Sequence, residues 1–333
     1  MRATTVGAFV IYFVAAGAFA ASPPERREVR GLTSAQWAEK IANAERVTRI
    51  APGSSGPAVV RAQILLDRAR FSPGQIDGKY GEDLAVSIKS YQENHGLQAT
   101  GVIDPETWKL LNRDTAALTT TYTIMAADLK GPFVPIPKDV QEQAAMKWMG
   151  YESPQEELGE KFHESPQLLA EMNRGKRLDM AGERLLVPSV TRGPASRAVR
   201  VEVSKSRRTV TAFGLHDKVL AVYPATIGGE HDPLPLGNWK IVSVVHDPWF
   251  YYQPERYWNA DPNEAKAKLP PGPRNPAGVV WMGLSKPHYG IHGTPDPGHI
   301  RHGESYGCIR LTNWDALDLS HMVRAGIPAV LEE

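Results

Sequence analysis

The sequence predicts a multidomain α+β protein. Two small helix-bearing units precede a mostly β domain, a sandwich or partly closed barrel, which ends in a helix. Three observations lead there. At 333 residues the chain exceeds one small domain. Its hydrophobic period is helical up to the joint Arg192-Gly193-Pro194 and alternates beyond it. Its 27 Pro and 29 Gly mark several junctions and many turns. Lys plus Arg number 38 against 37 for Asp plus Glu, so no basic excess points to nucleic acid or to an anionic membrane surface.

Residues 1–20 fit an export signal. Arg2 gives a positive start, Val6 to Ala21 is an apolar run, and Ala18-Phe19-Ala20 fits a small-x-small cleavage site before polar Ser22-Pro23-Pro24-Glu25. The run falls short of the ~20 strongly apolar residues of a spanning helix, so no membrane span is expected after cleavage. Residues 21–57 carry a short helix over Thr33 to Ile50, with Trp37, Ile41 and Ala44 on one face, and then the Pro, Gly and Ser linker Ala51 to Pro57.

Residues 58–113 form a helical unit. Val59, Ala62, Leu66 and Ala69 make one stripe, and Leu84, Ile88 and Tyr91 another. Asp104-Pro105 starts a third helix as N-cap and first-turn proline, bearing Trp108 and Leu111. The series Ile76-Asp77-Gly78-Lys79-Tyr80-Gly81, Tyr91-Gln92, Gly96-Leu97 and Thr107-Trp108 resembles the three-helix peptidoglycan-binding domain; without that resemblance the unit reads as a helical spacer. In residues 120–190, Tyr122-Thr123-Ile124 opens a strand and Ala181 to Pro188 closes one. Leu158, Phe162, Ser165, Leu168 and Asn173 lie where a LysM glycan-binding module places its helices, so this segment is similar to a LysM-like α/β module. Gly131 to Gly150 is longer than that pattern, which reads either as an insertion or as a module that no longer binds sugar.

Residues 197–333 switch to strands. Val199, Val201 and Val203 are expected to face one way and Arg200, Glu202 and Ser204 the other. Val210 with Ala212, Leu220 with Val222, Trp239 to Val245 and Val279 to Met282 continue the pattern. Asn313 is expected to cap a last helix bearing Ala316, Leu319, Met322 and Val323, with Arg324 in its final turn and Gly326 at its stop.

The chemistry concentrates between Tyr289 and Asn313. Cys308 is the chain's one thiol, so no internal disulfide can form, and an exported lone thiol is either buried and inert or a nucleophile. His292 lies upstream across a loop long enough to fold back. Gly307 permits close backbone approach, and successive N–H groups at Gly307 and Cys308 can form an oxyanion hole. Acyl transfer needs this set of nucleophile, base and donors. His288, His292, His299, His302 and Cys308 also make a dense donor set, but their spacing suits no compact zinc motif, so neither metal nor other cofactor is expected.

His292-Gly293-Thr294, followed by Ser305-Tyr306-Gly307-Cys308-Ile309-Arg310, resembles the L,D-transpeptidase catalytic signature; Gly272-Pro273-Arg274-Asn275-Pro276 and Tyr289-Gly290-Ile291 flank it. The resemblance implies a cysteine acyltransferase of the periplasm and cell wall. Cys308 would attack a peptidoglycan stem tetrapeptide between diaminopimelate and terminal D-Ala, with His292 as base, and a neighbouring stem amine, a protein amine or water would resolve the thioester. Arg310 would hold a substrate carboxylate, and Ser305 reads as a turn residue or a support of the site. Tyr306 stands where the family commonly has His; it can pack and donate a hydrogen bond but cannot be a neutral-pH base. Two other readings are a hydrolase of the same peptides and a wall-binding protein with a decayed catalytic fold.

Overall fold

The structure, a computed structural model, describes Met1 and residues 31–44, 49–261 and 263–333. Apart from Met1, the export signal expected at 1–20 lies outside the described residues. Among the described residues no helix is long and apolar enough to cross a membrane.

Thr33 starts helix α1 (Ser34–Asn43) with a capping box: its hydroxyl accepts the Gln36 N–H, and the Gln36 side chain accepts the Thr33 N–H. Trp37 and Ile41 are buried as expected. The helix does not reach Ile50, however, which forms a bridge to Ile103 and is fully buried there. The helical unit follows as α2 (Pro57–Arg68), α3 (Glu82–Asn94) and α4 (Pro105–Leu111), with Asp104 accepting the Thr107 N–H at 2.8 Å as the cap. Antiparallel strands β1 (Thr119–Thr123) and β2 (Arg184–Pro188) flank α6 (Pro154–Lys161) and α7 (Pro166–Met172), capped by Ser153 and Ser165. The long stretch before α6 carries α5 (Val140–Ala145).

The β domain is built on β3 (Arg200–Ser204), β4 (Thr209–Phe213), β5 (Val219–Pro224), β6 (Gly237–His246), β9 (Val280–Leu284), β10 (Gly290–His292), β11 (Ile309–Arg310) and β12 (Pro328–Glu332). A small hairpin of β7 (Phe250–Tyr252) and β8 (Ala267–Leu269) leaves the sheet between β6 and β9. The eight strands run in the order β11-β10-β9-β6-β12-β3-β4-β5, parallel at β10–β11 and β12–β3 and antiparallel elsewhere. Strands from both ends of this order share one core with helix α8 (Asn313–Met322), including Val203, Tyr223, Met282, Ile291, Ile309 and Leu319. A sheet whose far strands meet in one core must curl, which gives the partly closed form of the expected architecture.

Three expectations shift. Val199 precedes β3 and is exposed, while Ser204 is buried. Val222 turns away from the sheet core into the helical unit's core, beside Phe71, because that unit packs on β5 and leaves no solvent face there. The cap of α8 is Thr312, whose hydroxyl accepts the Asp315 N–H at 3.2 Å; Asn313 is the first helical residue, and Arg324 lies past the helix end.

Leu32 to Glu333 form one compact unit, and a buried ionic cluster joins its parts. Arg192 binds Asp67 of α2 at 2.7 Å and, on α8, Asp315 at 2.8 Å and Asp318 at 3.0 Å. His163, from the turn between α6 and α7, binds Asp67 at 3.0 Å and stacks on Trp314. Burial opposes ionisation of Asp67, yet Arg192 and His163 outweigh it and hold that carboxyl well below the usual range. Removing one partner leaves buried charge uncompensated. Arg192→Leu is therefore expected to lower stability by about 3–5 kcal/mol, read as a fall in the denaturant midpoint; an unchanged midpoint would show that the cluster does not hold the unit together.

Candidate active site

Period-two geometry decides what faces the cleft. Ile291 pairs with Ile309 and His292 with Arg310 in the parallel β10–β11 ladder. Ile291 and Ile309 are fully buried in the core. The alternating neighbours Gly290, His292, Cys308 and Arg310 therefore lie on the opposite face. Cys308 falls beside Gly290 in this register, so it is a diagonal neighbour of His292, with backbones about 7–8 Å apart and within side-chain reach. Arg310 is held in place by exchanging two backbone hydrogen bonds with Thr226, at 2.8 and 3.0 Å.

Both side chains line one cleft of about 1120 Å³. The Cys308 thiol donates toward the His288 carbonyl at 3.7 Å. The His292 Nδ1–H donates to the Gly293 carbonyl at 2.7 Å, and a carbonyl can only accept. That bond puts the proton of the neutral ring on Nδ1 and the lone pair on Nε2, and the Ala277 backbone also lies beside the imidazole. Trp281 stacks on the imidazole at 5.2 Å. No hydrogen bond joins Cys308 to His292 among the described residues; such bonds tighten when substrate arrives.

Burial, seconded by the charge of Arg310, pulls the His292 pKa down to about 3, so the ring is neutral. Burial also pushes the Cys308 thiol above its usual range, only partly offset by the Gly290 N–H and Arg310. The pair at rest is thus thiol plus imidazole. The Arg310 guanidinium has no side-chain hydrogen bond or ion pair among the described residues, which leaves it open to an anion in the cleft.

The loop before Cys308 is tightly specified. Gly307 has φ of +85°, and a Cβ there would meet the Tyr289 ring at 2.6 Å, so only glycine fits. Ser305 donates its hydroxyl to the Cys308 carbonyl, and its N–H bonds Ile227, which makes it a brace of the turn. Thr294 is buried and accepts the Asp296 N–H at 3.3 Å, bracing the turn after Gly293. Tyr306 donates to Asn259 at 2.8 Å and sets its ring edge against Tyr257. Both partners belong to the segment between β7 and β8 that walls the cleft. Burial lifts the Tyr257 hydroxyl to about 12, with Cys308 and Tyr306 adding to it.

Of the histidines crowded in the sequence, His288 and His292 line the cleft with Cys308, while His299 and His302 do not. His288 lies against Arg256 at 3.2 Å and His299 against Asp296 at 2.9 Å. Among the described residues no three His, Cys, Asp or Glu side chains converge to hold a metal. Sequence reasoning missed Trp281 and Tyr257, and gave Tyr289 only as a flank of the signature and Asn313 only as a helix cap. For Trp281 a signal existed: it is the large aromatic on the face of β9 opposite core residues Val280 and Met282.

Because thiol and imidazole are both neutral at rest, alkylation of Cys308 by iodoacetamide is expected to rise about tenfold per pH unit from pH 6 to 8. A rate flat across that range would mean a preformed thiolate and contradict this charge state.

The family model described as the L,D-transpeptidase catalytic domain matches residues 198–331, and that of a "putative peptidoglycan binding domain" matches residues 55–111. The chain is 31% identical over 173 residues to "Putative L,D-transpeptidase YkuD" of Bacillus licheniformis, covering 51% of this chain and 88% of that protein. It is 30% identical over 146 residues to the protein of the same name in Bacillus subtilis, covering 44% and 73%.

Proposed function

Because the chain belongs to the L,D-transpeptidase family, we propose that it exchanges acyl groups on peptidoglycan stem peptides, with Cys308 as nucleophile and His292 as base. The observation that carries this reading is the β10–β11 register, with the thiol, a neutral imidazole of fixed tautomer and a guanidinium unpaired among the described residues on one cleft face.

The thiol Sγ attacks the carbonyl carbon between diaminopimelate and terminal D-Ala while His292 Nε2 takes its proton. N–H groups of Gly307 and Cys308 receive the developing oxyanion; the left-handed turn at Gly307 suits successive N–H groups to face one point. The C–N bond breaks, the imidazolium returns the proton to the D-Ala amine, and a thioester remains. An acceptor amine then attacks the thioester, His292 takes its proton, and the thiolate leaves and is reprotonated. A base near 3 and a thiol above its usual range make the first proton transfer uphill at rest, so it must accompany C–S bond formation. Arg310 binds a substrate carboxylate.

The helical unit serves as a wall tether that raises the local substrate concentration. Residues 1–20 direct export, and the protein works at the cell wall, in the periplasm.

Incubation with a carbapenem, a thiol-acylating analogue of the donor, is expected to add one adduct mass to the protein and none to Cys308→Ala. With muropeptides, dimers joined between diaminopimelates are expected. Tripeptides without dimers would assign hydrolysis instead, and an adduct on Cys308→Ala would overturn the nucleophile.

A further inference from the structure

Freed from the capping role that Thr312 fills, the Asn313 amide lies buried behind the cleft. Its Oδ1 accepts the Val279 N–H at 3.2 Å, and its Nδ2 donates to the Pro273 carbonyl at 3.1 Å. The amide is wedged against two backbone segments: a Cβ at Gly278 would come within 2.1 Å of Oδ1, and one at Gly293 within 2.2 Å. Gly293 is the residue whose carbonyl holds the His292 Nδ1–H. Displacing the Asn313 amide therefore displaces the anchor of the imidazole.

The remaining partner of that amide comes from another part of the chain. Glu160 of α6 accepts from Asn313 Nδ2 at 3.0 Å through one carboxyl oxygen and at 3.2 Å through the other. The Tyr151 hydroxyl donates to the same carboxyl at 2.9 Å. Burial lifts the Glu160 carboxyl to about 7 against the pull of these two hydrogen bonds, so the group is largely withdrawn from water. An apolar residue would fill such a space at less cost; what the carboxyl adds is direction.

Glu160 is itself held on the β domain. Met149 N–H bonds the Pro271 carbonyl, Arg274 N–H bonds the Met149 carbonyl, and the Arg274 guanidinium pairs with Glu152 and Glu156. The longer stretch from Gly131 to Gly150, which the LysM pattern does not need, supplies Met149.

We propose that Glu160 is a positioning residue for the transpeptidase centre: it orients the Asn313 amide, which seats Gly293 and through it the His292 imidazole. The segment between the helical unit and the β domain then completes the active site rather than serving only as a spacer or wall anchor. This rests on His292 being the base, as proposed above.

The test uses the full chain, with two readouts: carbapenem acylation across a concentration series, and the ¹⁵N resonances of the His292 ring. Glu160→Leu is expected to lower the limiting acylation rate at least tenfold, keep the half-saturating concentration within twofold, and move the ring resonances. Glu160→Gln, which retains an acceptor oxygen, recovers most of the rate. Asn313→Asp sets two carboxyls face to face and is expected to lose the rate, while Asn313→Asp combined with Glu160→Gln reverses donor and acceptor at that contact and recovers part of it, the bond to the Pro273 carbonyl staying lost. That pair keeps the test decisive if Glu160→Leu does not fold. The proposal is overturned if folded Glu160→Leu leaves rate and ring resonances at wild-type values, or if the double variant is no better than Asn313→Asp alone. A wild type that takes no adduct would sink the proposed function, while the ring resonances would still decide the positioning role.

Discussion

A two-residue parallel pairing governs the active cleft. β11 is only Ile309–Arg310, yet its register against β10 sets which side chains share a face. A slip by one residue would turn Cys308 and Arg310 into the core and bring Ile309 out. The register is secured from both sides. Ile291 and Ile309 bury fully in the core, and Arg310 is bonded on its other edge to Thr226. Gly228 and Ser305 add a second bridge at the start of the turn. The loop that delivers the thiol is thus clamped at its ends, and Gly307 supplies a backbone reversal that a larger residue cannot make against the Tyr289 ring.

The clamp extends beyond the β domain. Arg301, in the loop between His292 and Cys308, reaches toward Asp83 on α3 at 3.5 Å, and Arg208 donates to the Arg301 carbonyl at 2.6 Å. Burial lifts Asp83 to about 6 even with Arg301 and His302 opposing it, so this contact is withdrawn from water. With the Arg192 cluster on α8 and Glu160 behind Asn313, both preceding parts of the chain touch elements that frame the cleft. Parts that merely tethered the enzyme would need none of these buried polar contacts.

Desolvation shapes the chemistry of the pair. Trp281 covers one face of the imidazole, and its burial makes a charged ring costly before substrate binds. A thiol kept protonated is less exposed to oxidation than a standing thiolate. That suits the chain's lone cysteine, and under the proposed mechanism it shifts the task of ionisation to the moment when a carbonyl carbon is within reach.

Much was legible in the chain itself. Asp104-Pro105, the stripes of α2 and α3, and the strand opposite Ala181 to Pro188 are local signals, and hydrogen bonding and burial period act over a few residues. His292-Gly293-Thr294 and Ser305 to Arg310 were legible as a candidate site because a thiol, an imidazole and a glycine turn sit in short runs. What stayed hidden depends on contacts between distant parts. Asn313 is at least as good a cap as Thr312 by residue type, and bonds to the Val279 N–H, the Pro273 carbonyl and Glu160 draw its amide away. Val222 reads as sheet core until the helical unit covers its outer face. The state of the thiol and the partner of Glu160 likewise have no local signature, whereas the His292 tautomer is set by the carbonyl of the next residue, Gly293. Burial sets the first, and a contact between residues 153 positions apart sets the second; only the closed tertiary structure brings those groups together, because neither water exclusion nor a distant partner is written in a short run of chain.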